Sequence, residues 1–565
     1  MSTIPLMEPA SLHNLFREAL SYHQAGRLEE ADTLYKRILT AEPRHADSLH
    51  LRGVILHGAG QLDTARQLIR QAILIKSDAP AYYSNLANIE KDQGHLAEAV
   101  QHYERALQLQ PDFAAAHYNL ACLLQDQGNW TAAQAHYERA LALQPALVPA
   151  HINLGNVMRE LGQYGVAMQH YARALQIDPE NADACYNRAN ALKDEGKIAD
   201  AMAAYEQTLR LRPHHAEAYN NLGVLLRDQG KLTEALEHFR KASAIHPDHA
   251  ESRVNEAMLL LLMGDMEAGW RRYEWRWRMK GAKPPRTDKP LWDGQVLAGR
   301  TILLEGEQGL GDCIQFVRYA SLIKQLGGRI VLRCPSSLAR LFTSVDGVVA
   351  VVPEGEPLPP YDCHAPLMSL PLLMGTNLAT VPNAVPYLYP SQQAVAFWGN
   401  RLGRTQELKV GIVWAGNARH SNPTANAVDR RRSINLAALA PLTRMANVRF
   451  FSLQKGPAAE QIADLPALAM TNYMDEMTDF ADTAALIANL DLVIGVDTSV
   501  IHMAGALGKP VWVLSRFDGC WRWLLDRDDS PWYPSLRLFR QSRQDDWSHV
   551  IQSIAAALEQ QAKKL

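Results

Sequence analysis

The sequence predicts an all-α repeat solenoid followed by an α/β half, and three observations carry that expectation. A glycine returns every 34 residues through the first half, at Gly26, Gly60, Gly94, Gly128, Gly162, Gly196, Gly230 and Gly264. From Thr301 onward short apolar runs alternate with amphipathic segments instead. The composition, 565 residues with 47% hydrophobic and 21% charged side chains, is that of an ordinary globular chain. It argues against wholesale disorder, a collagen-like chain or a membrane bundle. At roughly 150 residues per domain, the length alone gives a prior of about four compact units.

Charge and cysteines narrow the class. Lys+Arg total 57 against 60 Asp+Glu, a formal net charge of −3, so no nucleic-acid partner is expected. The six cysteines are scattered with no CxxC pair, which disfavours zinc ribbons and disulfide scaffolds. Met1-Ser-Thr-Ile-Pro5 lacks the basic and apolar regions of a secretory signal. The longest apolar run, Ala257 to Met263, is far short of the ~20 residues of a membrane span. A soluble, cytoplasmic protein is the expectation.

Within the 34-residue phase, five residues after each glycine stands Ala31, Ala65, Ala99, Ala133, Ala167, Ala201 or Ala235, with Gly269 in the last unit. Nine residues after it stands a large side chain: Tyr35, Ile69, Tyr103, Tyr137, Tyr171, Tyr205, Phe239 or Tyr273. Proline closes most units, from Pro43 to Pro247, with Ser77 as the exception. This is the tetratricopeptide pattern: two helices per unit, glycine at the turn and proline after the second helix. Eight units span residues 12–283. Such arrays coil into a superhelix whose first helices line a groove.

The sixth position of the units reads Asn85, Asn119, Asn153, Asn187, Asn221 and Asn255, after Arg17 and Leu51 in the first two. A carboxamide donates and accepts, so a row of them suits a peptide backbone of any sequence. Asparagine as a common residue at this repeat position is the alternative. The row resembles the asparagine ladder of the O-GlcNAc transferase superhelix, and the six are taken as acceptor-binding candidates. The neighbouring pairs Lys91-Asp92, Arg159-Glu160, Lys193-Asp194 and Arg227-Asp228 read as a solvated charged face.

The aromatic run Trp270 to Trp277 reads as a seam, and residues 284–300 as a junction. Strands are expected at 301–305, 329–333 and 347–352, with a helix running from the Gly306–Asp312 turn through Ile323. A second block has strands at 409–414, 448–453, 491–495 and 511–514, with helices between. Buried strands alternating with helices argue for parallel, doubly wound sheets. The first half is placed at 301–400 and the second at 401–565, with a closing C-terminal helix. Ligands in such folds sit at the carboxyl ends of strands.

Three strand-end loops carry candidate chemistry. In Gly309-Leu-Gly311-Asp312 the glycines permit close backbone approach, and Asp312 fits either an N-cap or a catalytic carboxylate. The glycines at 306, 309 and 311 do not make GxGxxG, which weakens a dehydrogenase reading. Trp414-Ala-Gly-Asn417 leads through a polar loop to Arg430-Arg-Arg-Ser433. Arginines ahead of a helix there suit a diphosphate, and Gln454-Lys455 ends a neighbouring strand. In Gly495-Val-Asp497-Thr498-Ser499, a strand turns into a helix whose N-terminus is an anion site. His502 on that helix fits a core histidine or a site residue.

Strand–Gly-Leu-Gly-Asp–helix in one half, with Asp-Thr-Ser-x-x-His-x-x-Gly-Ala-Leu-Gly-x-Pro in the other, resembles glycosyltransferase family nine, the heptosyltransferase-like enzymes of the GT-B fold. The resemblance covers residues 301–550. With the repeats, the chain resembles bacterial repeat-fused sugar transferases, and in layout O-GlcNAc transferase. It implies two facing Rossmann-like domains, 301–400 on the acceptor side and 401–565 on the nucleotide-sugar side, a nucleotide-sugar donor bound mainly by the second, and inversion at the anomeric carbon. It also implies that Asp312 is the general base and that Asp497, Thr498, Ser499 and His502 hold the donor. The family's basic donor residue has no clean counterpart. Trp414-Ala-Gly-Asn417 stands in its place, and Arg432 is the stand-in. Gly309, Gly311, Trp414, Asn417, Arg432, Gln454 and Lys455 complete the donor candidates. A cationic pocket and a helix N-terminus can hold a leaving diphosphate, so no metal is expected, and Asp526-Arg-Asp528 is read as packing. The expectation is transfer of a sugar to a protein side chain held by the repeats. The alternatives are a lipid or glycan acceptor with the repeats as a docking module, or a scaffold without turnover.

Overall fold

The computed structural model describes residues 9–285, 287–417 and 423–563. Packing divides the chain into two units, the first ending at Ala218 and the second beginning at Tyr219.

Sixteen helices pair as eight tetratricopeptide repeats. The first pair is Pro9–Gln24 with Leu28–Ala41, and the eighth is Ala250–Leu262 with Met266–Tyr273. The eight phased glycines explain the hairpins, because each takes a positive φ between 74° and 89°. That conformation costs a residue with a Cβ but not glycine. It lets the Arg27 amide reach back to the Tyr22 carbonyl at 2.9 Å and close the first helix, and the later glycines repeat the pattern. The phased alanines and large residues are both fully buried. The small residue lets two helices approach, and the ring of Tyr35, Tyr103, Tyr137, Tyr171 or Tyr205 fills the space beside it. Ser77 in place of proline costs nothing visible, since Leu62–Ile75 already ends at an extended Lys76.

The unit boundary falls inside helix Ala216–Asp228, so the last two repeats pack with the α/β half. The expected aromatic seam is the reason. Trp270 is fully buried, edge-on to Phe316 at 5.8 Å and to Trp521 at 5.1 Å.

The α/β half holds two all-parallel sheets. The first contains β1 (Thr301–Glu305), β2 (Arg329–Cys334), β3 (Val348–Pro353) and β4 (Cys363–Pro366), in the order β3-β2-β1-β4. The second contains β5 (Leu408–Val413), β6 (Val448–Ser452), β7 (Thr471–Asn472), β8 (Leu492–Val496), β9 (Val511–Ser515) and β10 (Leu536–Arg540). Its order is β10-β9-β8-β5-β6-β7. The fold is therefore tetratricopeptide repeats followed by two parallel α/β sheets of the GT-B kind. Strand order reverses between β1 and β4 and between β5 and β8, the two places where such sheets open a ligand crevice.

Several elements differ from expectation. The helix expected through Ile323 is broken, with a 3-10 turn at Val317–Tyr319 between Leu310–Phe316 and Ala320–Gln325. Arg430, Arg431 and Arg432 precede the 3-10 helix Leu436–Arg444, as expected, but are not in a loop. They form the last turn of helix Pro423–Arg432, where positive charge complements the helix dipole. Part of the polar loop after Asn417, residues 418–422, lies outside the described residues. Helix Gln392–Leu402, most of which the boundary at residue 400 assigns to the first half, packs on Phe480–Ile487 beside the second sheet. The C-terminal helix Ser548–Ala562 stays on the second sheet, against β10 and the 3-10 helix Leu436–Arg444. No helix is long and apolar enough to cross a membrane among the described residues.

Candidate active site

β1 runs fully buried through Ile302, Leu303 and Leu304 and ends in Gly306-Glu-Gln-Gly309. Helix Leu310–Phe316 follows, with Gly309 at its N-cap. Asp312 sits on its first turn, and its Oδ2 accepts the Gly309 amide at 3.0 Å. The capping role is thus real, but it uses one oxygen only. The other, Oδ1, accepts an Nη2–H of Arg522, 210 residues away.

β8, buried along its length, delivers Asp497, Thr498 and Ser499 to the N-terminus of helix Ser499–Ala506. The two loops meet there. A Cβ placed on Gly311 would lie 2.9 Å from Cδ2 of His502 and 3.6 Å from Cα of Ser499. A bare glycine backbone is what lets the two helix starts touch. Asp312 and the Asp497-Thr498-Ser499 turn therefore share one site.

His502 is buried and held from three sides. It stacks on Trp523 at 5.5 Å, its Nδ1 lies 3.0 Å from the Tyr533 hydroxyl, and its Nε2 lies 3.6 Å from Asp497 Oδ1. Burial pushes the imidazole below its ordinary range, against the pull of Asp497. A neutral ring with Nε2–H toward Asp497 and Nδ1 accepting from Tyr533 satisfies every partner. Burial pushes Asp497 up, but the His502 hydrogen bond and the charges of Arg522 and Arg432 outweigh it and hold the carboxylate ionised. Burial opposes the charge of Arg522, yet the Asp312 carboxylate keeps its pKa raised. Arg522 also donates to Gln315 Oε1 at 2.9 Å and to Cys520 Sγ at 3.4 Å, and lies over the Trp521 ring at 4.2 Å.

Sequence reasoning missed Arg522, Tyr533 and Arg318. Arg318 is buried under the site between the rings of Tyr387 and Tyr533, and donates to the carbonyls of Gln315, Pro382 and Trp532. It ties the first half to the linker and to the second half. The one signal was an arginine framed by tryptophans, Trp521-Arg-Trp523, in the loop after β9.

The remaining donor candidates stand at the ends of β5 and β6 and in helix Pro423–Arg432, and the side chains of Gln454, Lys455 and Arg432 are tied to backbone groups nearby. The Trp414 indole is fully buried in the core of the second sheet and donates to Gln461, so only its main chain reaches the loop. Gln454 is buried, and its Oε1 accepts the amides of Trp414 and Ala415 at 3.1 and 2.9 Å. It braces that loop. Lys455 Nζ donates to the Met477 carbonyl at 2.8 Å, and Asn417 is exposed. Arg432 binds Asp429 through Nε and Nη2, and the Asp497 carbonyl through Nη1 at 2.9 Å. It is thereby locked to the β8 turn. Arg431 points elsewhere, to Asp228 at 2.7 Å and Asp518 at 3.4 Å. The three arginines are not one cationic pocket, and Arg227-Asp228 is not a solvated pair.

The last repeat grips the loop that carries Asp312. Arg276 forms a two-pronged ion pair with Glu307 at 2.7 and 3.0 Å, and Tyr273 shares a hydrogen bond with Gln308. Burial and the nearby Asp312 charge push the Tyr273 phenol up to about 12.

The asparagines are half-buried on first helices, Asn85, Asn119, Asn153 and Asn187 in the first unit and Asn221 and Asn255 in the second. Several tie one first helix to the one before. Asn85 bonds His50, Asn119 bonds Asn88, Asn153 bonds the Tyr118 hydroxyl and Asn255 bonds Asn220, at 2.8 to 3.3 Å. Each of these bonds uses the amide nitrogen.

Comparison with known proteins agrees with this layout. Tetratricopeptide-repeat models match residues 22–89, 87–128, 114–147, 155–194 and 186–250. The model described as glycosyltransferase family 9 (heptosyltransferase) matches residues 436–514, which include the Asp497-Thr498-Ser499 turn and His502. The chain thus carries tetratricopeptide repeats, a protein-interaction module, ahead of a glycosyltransferase family 9 region. It is 30% identical over 326 residues to Protein FlbA of Caulobacter vibrioides, and the match takes in 53% of this chain and 53% of that protein. The chain spans about half the length of the curated relative it matches. Among solved structures it is similar to YrrB, described as a tetratricopeptide protein with an unusual peptide-binding site. That likeness has 26% identity, 33% of this chain, 95% of the other and a TM-score of 0.29. A tetratricopeptide protein from Parabacteroides merdae gives 21% identity, 42% of this chain, 94% of the other and a TM-score of 0.35.

Proposed function

We propose that the chain is an inverting glycosyltransferase that moves a sugar from a nucleotide-sugar donor to a side chain of a protein held by the repeats. One observation carries the reading: Asp312 and the Asp497-Thr498-Ser499 turn, on different sheets, are brought together where Gly311 touches His502 and Ser499. A base on one side and an anion-binding helix start on the other is what such a transfer needs. Asp312 takes the proton of the acceptor hydroxyl as its oxygen bonds to the anomeric carbon. The bond from that carbon to the diphosphate breaks, and the charge develops beside the first turn of Ser499–Ala506. Arg432 fixes the backbone of that turn, and no metal is needed.

The acceptor assignment rests on the grip of Arg276 and Tyr273 on the Asp312 loop. An acceptor segment held by the eighth repeat is thereby beside the loop that carries the base. Incubating the purified chain with a panel of nucleotide sugars, and following donor binding and hydrolysis, tests the reading. Binding and slow hydrolysis of one donor is expected. A chain that binds none of them is a scaffold, and the proposal fails.

A further inference from the structure

We propose that Arg522 receives the donor's diphosphate, and that until it does so it holds Asp312 as a latch; this rests on the transferase reading above. With Arg522 on Oδ1 and the Gly309 amide on Oδ2, both oxygens of the base are engaged. Each oxygen keeps a second lone pair for a proton, but the guanidinium paired with Oδ1 favours the negative charge that proton uptake removes. The backbone amide is fixed by the helix turn, whereas the arginine is a side chain. Its planar fork is the group best matched to diphosphate oxygens.

A second observation marks the same spot as built for a polar ligand. Three polar atoms of this cluster are buried without a hydrogen-bond partner among the described residues: Nε2 of Gln315, Oγ1 of Thr498 and Nε1 of Trp523. Gln315 is fully buried and holds Arg522 by its other end. Thr498 caps helix Ser499–Ala506 without using its hydroxyl, and Trp523 adjoins Arg522 in the chain. A buried donor left without a partner is costly, and a ligand rich in oxygen satisfies all three.

Charge makes the exchange self-consistent. In the site as it stands, Arg522 is paired with Asp312 and Arg432 with Asp429, and Asp497 lies beside both arginines. A diphosphate brings excess negative charge, and Arg522 moves to it. Asp312 is then free to take the acceptor proton, which removes one negative charge as the new carbon–oxygen bond forms. The breaking bond leaves its electron pair on the diphosphate oxygen, where Arg522 now sits. Donor binding thus precedes unmasking of the base.

The test is calorimetric titration of the full chain with UDP, ADP, GDP and CDP, followed by variants with whichever binds. D312N keeps the shape but gives up the charge. It is expected to tighten nucleoside-diphosphate binding about tenfold, because Arg522 is released in advance. R522Q is expected to weaken binding by about 30-fold or more, and R522K, which keeps charge without the fork, to fall between. In D312N/R522Q the gain from D312N disappears. Unchanged or weaker binding by D312N, or wild-type affinity in R522Q, overturns the latch while the transferase reading stands. If the wild-type chain binds no nucleoside diphosphate, both fall together.

Discussion

Gly311 has no room for a side chain, and the reason is a ring that cannot move. The His502 imidazole is stacked on Trp523 and bonded to Tyr533, so a methyl 2.9 Å from it has to displace the helix instead. Alanine gains up to ~1 kcal/mol in helix propensity over glycine, but overpacking a fixed site costs ~1–3 kcal/mol. G311A is therefore expected to lower stability by about 1 kcal/mol net and to cut donor hydrolysis far more. Urea unfolding and a hydrolysis assay on the same sample read both, and wild-type hydrolysis in G311A would deny the close approach. At this scale the sequence was legible where chemistry is local. Asp312 and the Asp497-Thr498-Ser499 turn each announce themselves by strand, turn and helix start. Arg522, Tyr533 and Arg318 do not, because the partners that bring them to the site, Asp312, His502 and the Trp532 carbonyl, lie 31 to 214 residues away. Trp414 and Gln454 turn their side chains inward, a choice set by register at a strand end, which spacing alone leaves open.

Repeats were the most legible elements, since a positive φ at a fixed phase leaves few residues but glycine. β4, β7 and β10 escaped notice: β7 has two residues and β4 four, and β10 alternates arginine with apolar residues, Leu536-Arg-Leu-Phe-Arg540. Repeat packing also creates a pH dependence. In helix Ala46–Gly58, His50 is buried and bonded to Asn85, and burial pushes its imidazole down to about 4. The folded repeat resists a proton that the unfolded chain accepts at its ordinary ~6.5. Its contribution is thus whole above pH ~6.5 and declines as pH falls toward the folded value. At pH 5 the loss is about 2 kcal/mol. Urea midpoints at pH 7.5 and 5.0 should differ, and H50Q should shrink the difference. An equal difference in the variant would place the acid sensitivity elsewhere.

For the whole molecule, the length first suggested about four compact domains, and the 34-residue phase replaces that count with eight repeats and two α/β halves. Packing moves the last two repeats into the unit that holds the sheets. The groove and the site are then expected to separate functionally. Replacing Asn153, Asn187 and Asn221 by alanine should weaken acceptor peptide binding while donor hydrolysis persists, with a modest stability loss from bonds such as Asn153 to Tyr118. Unchanged peptide affinity in that triple variant would remove the asparagine row from acceptor recognition. The central claim, that Asp312 is the base of a sugar-transfer site shared by both sheets, is tested most directly by D312A, with donor binding and donor turnover measured on the same preparation. Donor affinity at least that of wild type with turnover abolished is the expected result; full turnover in D312A, or loss of donor binding with the fold intact, would contradict it.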